Sequence, residues 1–172
     1  KADPAKVKEL KSKLSNNKFE KTIGISWRSR SKDYPECSIS LEQLMKSIYR
    51  PNYRFICLQY GDVSNEIYEL KCSHNIIIDE IKEIDKFNDI DSLAALISVC
   101  DEIVTIDNLT GPLAGSLGIK TNSLVSTNGY WQFGLNDERS YWFPSMKIFR
   151  QNIIKDWEAP LQELIQEITT KV

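Results

Sequence analysis

A single histidine, His74, and four cysteines without one C-x-x-C pair leave this chain little with which to build a structural zinc centre. The lone histidine also has no sequence neighbours that would complete a catalytic triad, so it reads as a surface turn residue. Cys37, Cys57, Cys72 and Cys100 are scattered, and Cys57 and Cys100 sit in apolar runs where a thiol packs as a small hydrophobe. A basic excess is missing too. Lys plus Arg total 22 against 24 Asp plus Glu, a formal charge of -2, so there is no overall field to hold a nucleic acid backbone through counterion release. No apolar run approaches the roughly 18 residues that span a bilayer, and no signal-peptide pattern opens the chain, which points to a cytoplasmic protein. The first residue is Lys1 rather than Met, as expected of a piece of something longer. Low-complexity linkers and internal repeats are absent.

What remains is an ordinary globular composition, 41% hydrophobic and 27% charged over 172 residues, the size of one domain. Asp3-Pro4 followed by Ala5, Val7, Leu10 and Leu14 predicts a leading helix that ends near Asn16-Asn17. Ser40 with Gln43 is a capping box for a helix carrying Leu41, Leu44, Met45 and Ile48. A shorter helix is expected around Ile67 and Leu70, one capped by Asp91 through Cys100, one opened by Gly111-Pro112 and stopped by Gly118, and a closing one from Trp157 to Ile168. Apolar runs predict strands at 22–26, 53–58, 75–79, 102–106 and 121–125, with a sixth at 147–150. Strands apolar throughout and alternating with helices predict an α/β, Rossmann-like doubly wound parallel sheet of five or six strands with helices on both faces, the first strand near its centre.

Ligands bind such sheets beyond the carboxyl ends of the strands. Three loops there are polar or glycine-bearing. Ser26, Arg28, Arg30 and Lys32 follow the first strand and could neutralise a diphosphate, or form a solvated basic loop. Asp107, Asn108, Thr110 and Gly111 lie where a strand turns into a helix, and could present backbone donors to an anion or simply cap the helix. Gly61 and Asp62 most often mean a turn. Trp131, Phe133, Tyr141, Trp142 and Phe143 read as core for a long crossover, with a lid over a base or sugar as the second reading.

The run from Asp89 to Asp107, continuing into Leu113-Ala-Gly-Ser-Leu-Gly118, resembles the nucleotide-sugar segment of heptosyltransferase-like glycosyltransferases. Gly24-Ile-Ser-Trp-Arg28, Leu58-Gln-Tyr-Gly-Asp62 and the stretch from Trp142 to Gln151 are similar to the same half of glycosyltransferase-like domains that follow tetratricopeptide repeats in bacterial proteins. The resemblance implies the C-terminal, donor-binding half of a GT-B enzyme, a single domain over 1–172. It further implies a nucleotide sugar such as a UDP- or ADP-sugar as substrate, with no metal or other cofactor. The partner that the resemblance implies is an N-terminal acceptor domain or tetratricopeptide-repeat domain of the same full-length chain.

Carried over residue by residue, the resemblance gives Ser26 and Lys32 as phosphate-contacting groups, with Lys32 catalytic beside Arg28, and Asp62 or Glu66 as the ribose-binding acid. Asp107 matches the acid before the phosphate-binding helix, and Asn108, Thr110 and Gly111 fall in its turn. Leu109 and Pro112 depart from the pattern, standing where relatives commonly have a glycine and a histidine. Proline in place of histidine removes a side-chain donor and a backbone N–H together. The alternative implied is a degenerate binding or scaffold module that keeps the fold without turnover, and the isolated chain is expected to be inactive.

Overall fold

The computed structural model describes residues 1–15, 18–29, 37–127, 129, 131–134 and 137–169. Five strands, β1 (Lys21–Ile25), β2 (Tyr53–Cys57), β3 (Glu102–Ile106), β4 (Lys120–Val125) and β5 (Met146–Arg150), form one sheet in the order β2-β1-β3-β4-β5, and every neighbouring pair is parallel. Six helices, α1 (Pro4–Leu14), α2 (Leu41–Ile48), α3 (Ser64–His74), α4 (Ile90–Ile97), α5 (Thr110–Ser116) and α6 (Glu158–Thr169), cover both faces. Ile23, Ile25, Phe55 and Cys57 point to the face shared by α2 and α6, whereas Ile56, Leu58 and Ile103 meet α1, α4 and α5. β3 is buried along its whole length, as a central strand covered on both faces must be. It holds the sheet's centre, and β1 lies one position away. Among the described residues no helix is long and apolar enough to cross a membrane.

Local chemistry accounts for most boundaries. Ser40 Oγ accepts the Gln43 N–H at 3.1 Å, which starts α2, and Asp3 accepts from the Ala5 N–H at 2.8 Å before Pro4 opens α1. Gly24 serves close packing: a Cβ there would stand 2.5 Å from Leu58 Cδ1 and 2.8 Å from Ile103 Cδ1, so the glycine leaves room for those two side chains against β1. Burial pushes the Cys57 thiol up to about 11 and the Cys100 thiol up to about 12, the behaviour of cysteines that serve as packing.

Three expectations are corrected. The isoleucine run at 75–79 is not a strand of the sheet. Asn75 adopts the left-handed conformation (φ 53°) that caps α3, and the segment touches β2 through one bridge, Ile56 to Asp79. The cap of α4 is Asp89, whose Oδ1 accepts the Ser92 N–H at 2.9 Å, because Asp91 already lies inside the helix. The helix around Ile67 runs eleven residues, and His74 is its last, with Nε2 2.9 Å from Glu42 Oε1. His74 is exposed as expected, but it ends α3 instead of standing in a turn, and its partner comes from α2.

Candidate functional site

The described residues of the three loops expected to bind sit at the carboxyl edge of the sheet, and polar side chains stitch them together. Ser26, just past β1, is wholly buried, and its Oγ lies 2.6 Å from Thr105 Oγ1. Asn108 donates from Nδ2 to Ser26 Oγ at 3.2 Å and accepts at Oδ1 from Thr105 Oγ1 and the Thr110 N–H, both at 3.0 Å. Ser26, Asn108 and Thr110 are thus one buried network that ties the end of β1 to the turn after β3. Capping by Asn108, one of the two readings of that turn, is what the Thr110 contact amounts to.

On the other side of the same loop stands Gln59, whose amide is almost completely buried. Its Oε1 accepts the N–H groups of Trp27 and Arg28 at 2.9 and 2.8 Å, and its Nε2 donates to the Arg28 carbonyl at 3.1 Å. Side-chain reading of the sequence passed over Gln59 in favour of Gly61 and Asp62. The available signal was an amide directly after an apolar strand, where a buried polar group must find partners.

A cleft of about 770 Å³ opens over this edge. Ser29, Tyr60, Lys86, Phe87, Asp107, Asn108, Thr110, Pro112 and Trp131 are among the residues that line it. Beside it, a hollow of about 410 Å³ shares Ser29, Tyr60 and Phe87 and is also lined by Arg28, Gly61 and Asp85. Gly61 takes φ +81°, a conformation that glycine adopts without strain. Tyr60 and Phe87 stand 5.8 Å apart at 54°, a tilted pair that presents aromatic surface to a planar ligand. Lys86 supplies a cation to the same wall. Phe87 and Lys86 are further residues that sequence reasoning did not single out.

Of the site residues carried over from the resemblance, Asp107, Asn108 and Thr110 line the cleft and Arg28 lines the adjoining hollow. Gly111 is buried in the first turn of α5, where a Cβ would meet Thr105 Cγ2 at 3.4 Å. Asp107 is 2% exposed, and its field, with that of Asp137, opposes the downward pull of burial on the pKa of Arg150 at the end of β5. The two acids proposed for ribose lie apart from the cleft lining. Asp62 is exposed and accepts the Ser64 N–H at 3.0 Å, a contact that holds its carboxyl below the usual range. Glu66 lines a smaller cavity of about 270 Å³ between α2 and α3 with Glu42, Glu69 and His74, a carboxylate-rich wall unsuited to an anion. Lys32 and Arg30 lie outside the described residues.

The aromatic group divides. Phe133 is buried, with Phe143 packed against the same cluster, whereas Trp131, Tyr141 and Trp142 are 76%, 79% and 63% exposed. The core reading fails for those three. The two indoles meet edge to face at 5.7 Å, covering part of each other instead of entering the core.

No family model matches this chain. Two solved structures share its architecture closely. E. coli ADP-heptose lps heptosyltransferase II superposes with a TM-score of 0.62 at 15% identity, over 98% of this chain and 52% of that one. The glycosyl transferase family 9 structure from Veillonella parvula gives 0.60 at 14% identity, over 88% of this chain and 42% of that one. The fold is that of one half of a GT-B glycosyltransferase. Among curated proteins, FlbA of Caulobacter vibrioides is similar, 28% identical over 161 residues that make up 92% of this chain and 27% of FlbA. The chain therefore spans about half the length of the structures it matches and about a quarter of FlbA.

Proposed function

We propose that this chain is the nucleotide-sugar-binding, donor half of a glycosyltransferase. The observation that carries the reading is the 770 Å³ cleft at the carboxyl edge of a GT-B half, which combines aromatic walls at Tyr60, Phe87 and Trp131 with a lysine and the strand-to-helix turn at Thr110. Planar aromatic surface suits a nucleobase, and cations at Lys86 and Arg28 suit a diphosphate. In transfer the nucleoside diphosphate leaves with developing negative charge, and fixed cations lower that barrier without a metal. Lys32 belongs to this proposal as a third cation, four residues after Arg28 in the sequence. Ser26 acts from beneath, holding Asn108 and the Thr110 turn in register.

The acceptor would come from elsewhere in a full-length chain, an N-terminal acceptor domain or a tetratricopeptide-repeat domain, and a cytoplasmic setting is part of the same proposal. Orientation of two substrates supplies a large share of catalysis, so the chain by itself is expected to bind donor and transfer nothing measurable. A non-catalytic binding module is the second reading. Two features favour it: Pro112 has no N–H, and the Thr110 N–H is already engaged by Asn108.

Calorimetric titration with ADP, UDP, GDP and CDP tests the common core of both. Saturable binding of at least one diphosphate supports it, and its abolition by filling the cleft with Leu109→Trp, at a lining residue that is 55% exposed, locates the site. Absence of binding for all four at millimolar ligand refutes it.

A further inference from the structure

Arg28 is held from every side. Its N–H donates to Gln59 Oε1 at 2.8 Å, and its carbonyl accepts from Gln59 Nε2 at 3.1 Å and Asn108 Nδ2 at 3.5 Å. The guanidinium is fixed as well, through an Nη1 bond of 2.6 Å to Glu66 Oε1. Glu66 is itself anchored. Its other oxygen accepts from Trp27 Nε1 at 2.9 Å, and Trp27 is 1% exposed. One carboxylate therefore links a buried indole to a half-exposed guanidinium. The two residues face different spaces: Arg28 lines the hollow beside the cleft, and Glu66 lines the cavity between α2 and α3.

We infer that Glu66 is a positioning residue for Arg28, and that Arg28 is the group that meets the anionic part of the ligand. With Nη1 committed to Glu66, the plane of the guanidinium is set, and the Nε and Nη2 edge is the part of the fork that can take two oxygens of one phosphate. Ordering that side chain before the ligand arrives removes a cost that binding would otherwise carry. Glu66 is not the ribose-binding acid on this reading, because both its oxygens are engaged and it looks away from the cleft. The inference rests on the nucleotide-binding proposal and deepens it.

The test separates the roles by using a ligand without ribose. Parent, Glu66→Gln, Arg28→Ala and the double variant are titrated with the tightest-binding nucleoside diphosphate and, by displacement of it, with inorganic pyrophosphate. Glutamine keeps an oxygen for the Trp27 indole and removes the charge that holds Arg28. Both side chains are more than a third exposed, at 43% and 34%, and melting curves check that each variant is folded.

The expected result is that Glu66→Gln weakens nucleotide and pyrophosphate by the same factor, roughly three- to tenfold, and has no added effect once Arg28 is alanine. A loss confined to the nucleotide would overturn the inference in favour of ribose contact, and tighter binding of both ligands would make Glu66 a competitor of the anion. Additive losses in the double variant would show two independent residues. Failure of the parent to bind any diphosphate refutes the nucleotide reading itself and this inference with it, whereas binding with one of the wrong patterns refutes the inference alone.

Discussion

Replacing Gln59 with methionine, a side chain of similar length and no hydrogen-bonding amide, removes the clamp on the loop after β1. Two backbone donors, the N–H groups of Trp27 and Arg28, lose acceptors at 2.9 and 2.8 Å, and the Arg28 carbonyl loses a donor at 3.1 Å. A buried donor left without a partner costs about 1–3 kcal/mol. The Trp27 N–H is buried and takes the middle of that range, about 2 kcal/mol, while the partly exposed Arg28 N–H can recruit water and takes the low end, about 1 kcal/mol. The sum, about 3 kcal/mol, corresponds in a domain of this size to a melting point lower by about 6–12 °C. Urea unfolding gives the free energy, and native-state hydrogen exchange reads the two amides directly, with Trp27 and Arg28 expected to lose protection out of proportion to the rest of β1. A melting point within 2 °C of the parent, with both amides still protected, would refute the clamp.

Two further outcomes are expected. Glu102 lies at the opposite edge of the sheet, 1% exposed, with Lys21 at 2.7 Å and Lys120 at 3.3 Å. Glu102→Gln is expected to lower stability by about 3 kcal/mol in urea, the low end for breaking a buried pair since both lysines reach solvent, with diphosphate affinity unchanged. Hydrogen bonds from the Ser92 side chain and then its N–H hold the Asp89 carboxyl below its ordinary value of 3.8. A lowered folded value means stability that is present above pH 3.8 and lost as pH falls through the lowered value. Asp89→Asn keeps the cap and removes the charge, so melting curves from pH 6 to 2.5 should show a shallower acid decline in the variant than in the parent.

Hydrophobic period and cap chemistry are local, which is why the parallel sheet and five of its strands were legible in the order of residues. Ser40 and Gln43 are three positions apart, and so are Asp89 and Ser92; in the second case two nearby aspartates offered the same signal, and the one whose carboxylate reaches the third N–H is the cap. Three consecutive isoleucines at 76–78 carry a strand's composition, but Ile77 is 56% exposed between two buried neighbours, and the left-handed Asn75 directs the segment along the outside of β2. The site was legible as a set of loops and illegible as a set of bonds. Arg28 and Glu66 are 38 residues apart, Trp27 and Gln59 are 32, and Ser26 and Asn108 are 82. Those pairs exist because β1 lies between β2 and β3, a fact of sheet order that no spacing rule contains.

On the proposed function, the same bonds redistribute the work between the loops after β1 and β3. A helix start attracts an anion through N–H groups that the helix itself leaves without partners. At α5, Thr110 gives its N–H to Asn108, position 112 has none to give, and the Leu113 N–H returns to the Leu109 carbonyl at 3.2 Å. The N–H of Gly111 is what that turn can offer, in a helix of only seven residues. Asn108 meanwhile uses its other end on the loop after β1, donating to Ser26 Oγ and to the Arg28 carbonyl. The residue that weakens the turn as an anion seat is therefore one that stiffens the arginine loop. Engagement of the Thr110 N–H after β3 and fixation of the Arg28 backbone after β1 are two consequences of a single amide, and with no N–H at Pro112 a diphosphate at this edge would rely on the guanidinium that Glu66 holds. On the proposed function, the electrostatic weight of the site then rests on the guanidinium of Arg28 more than on a helix terminus.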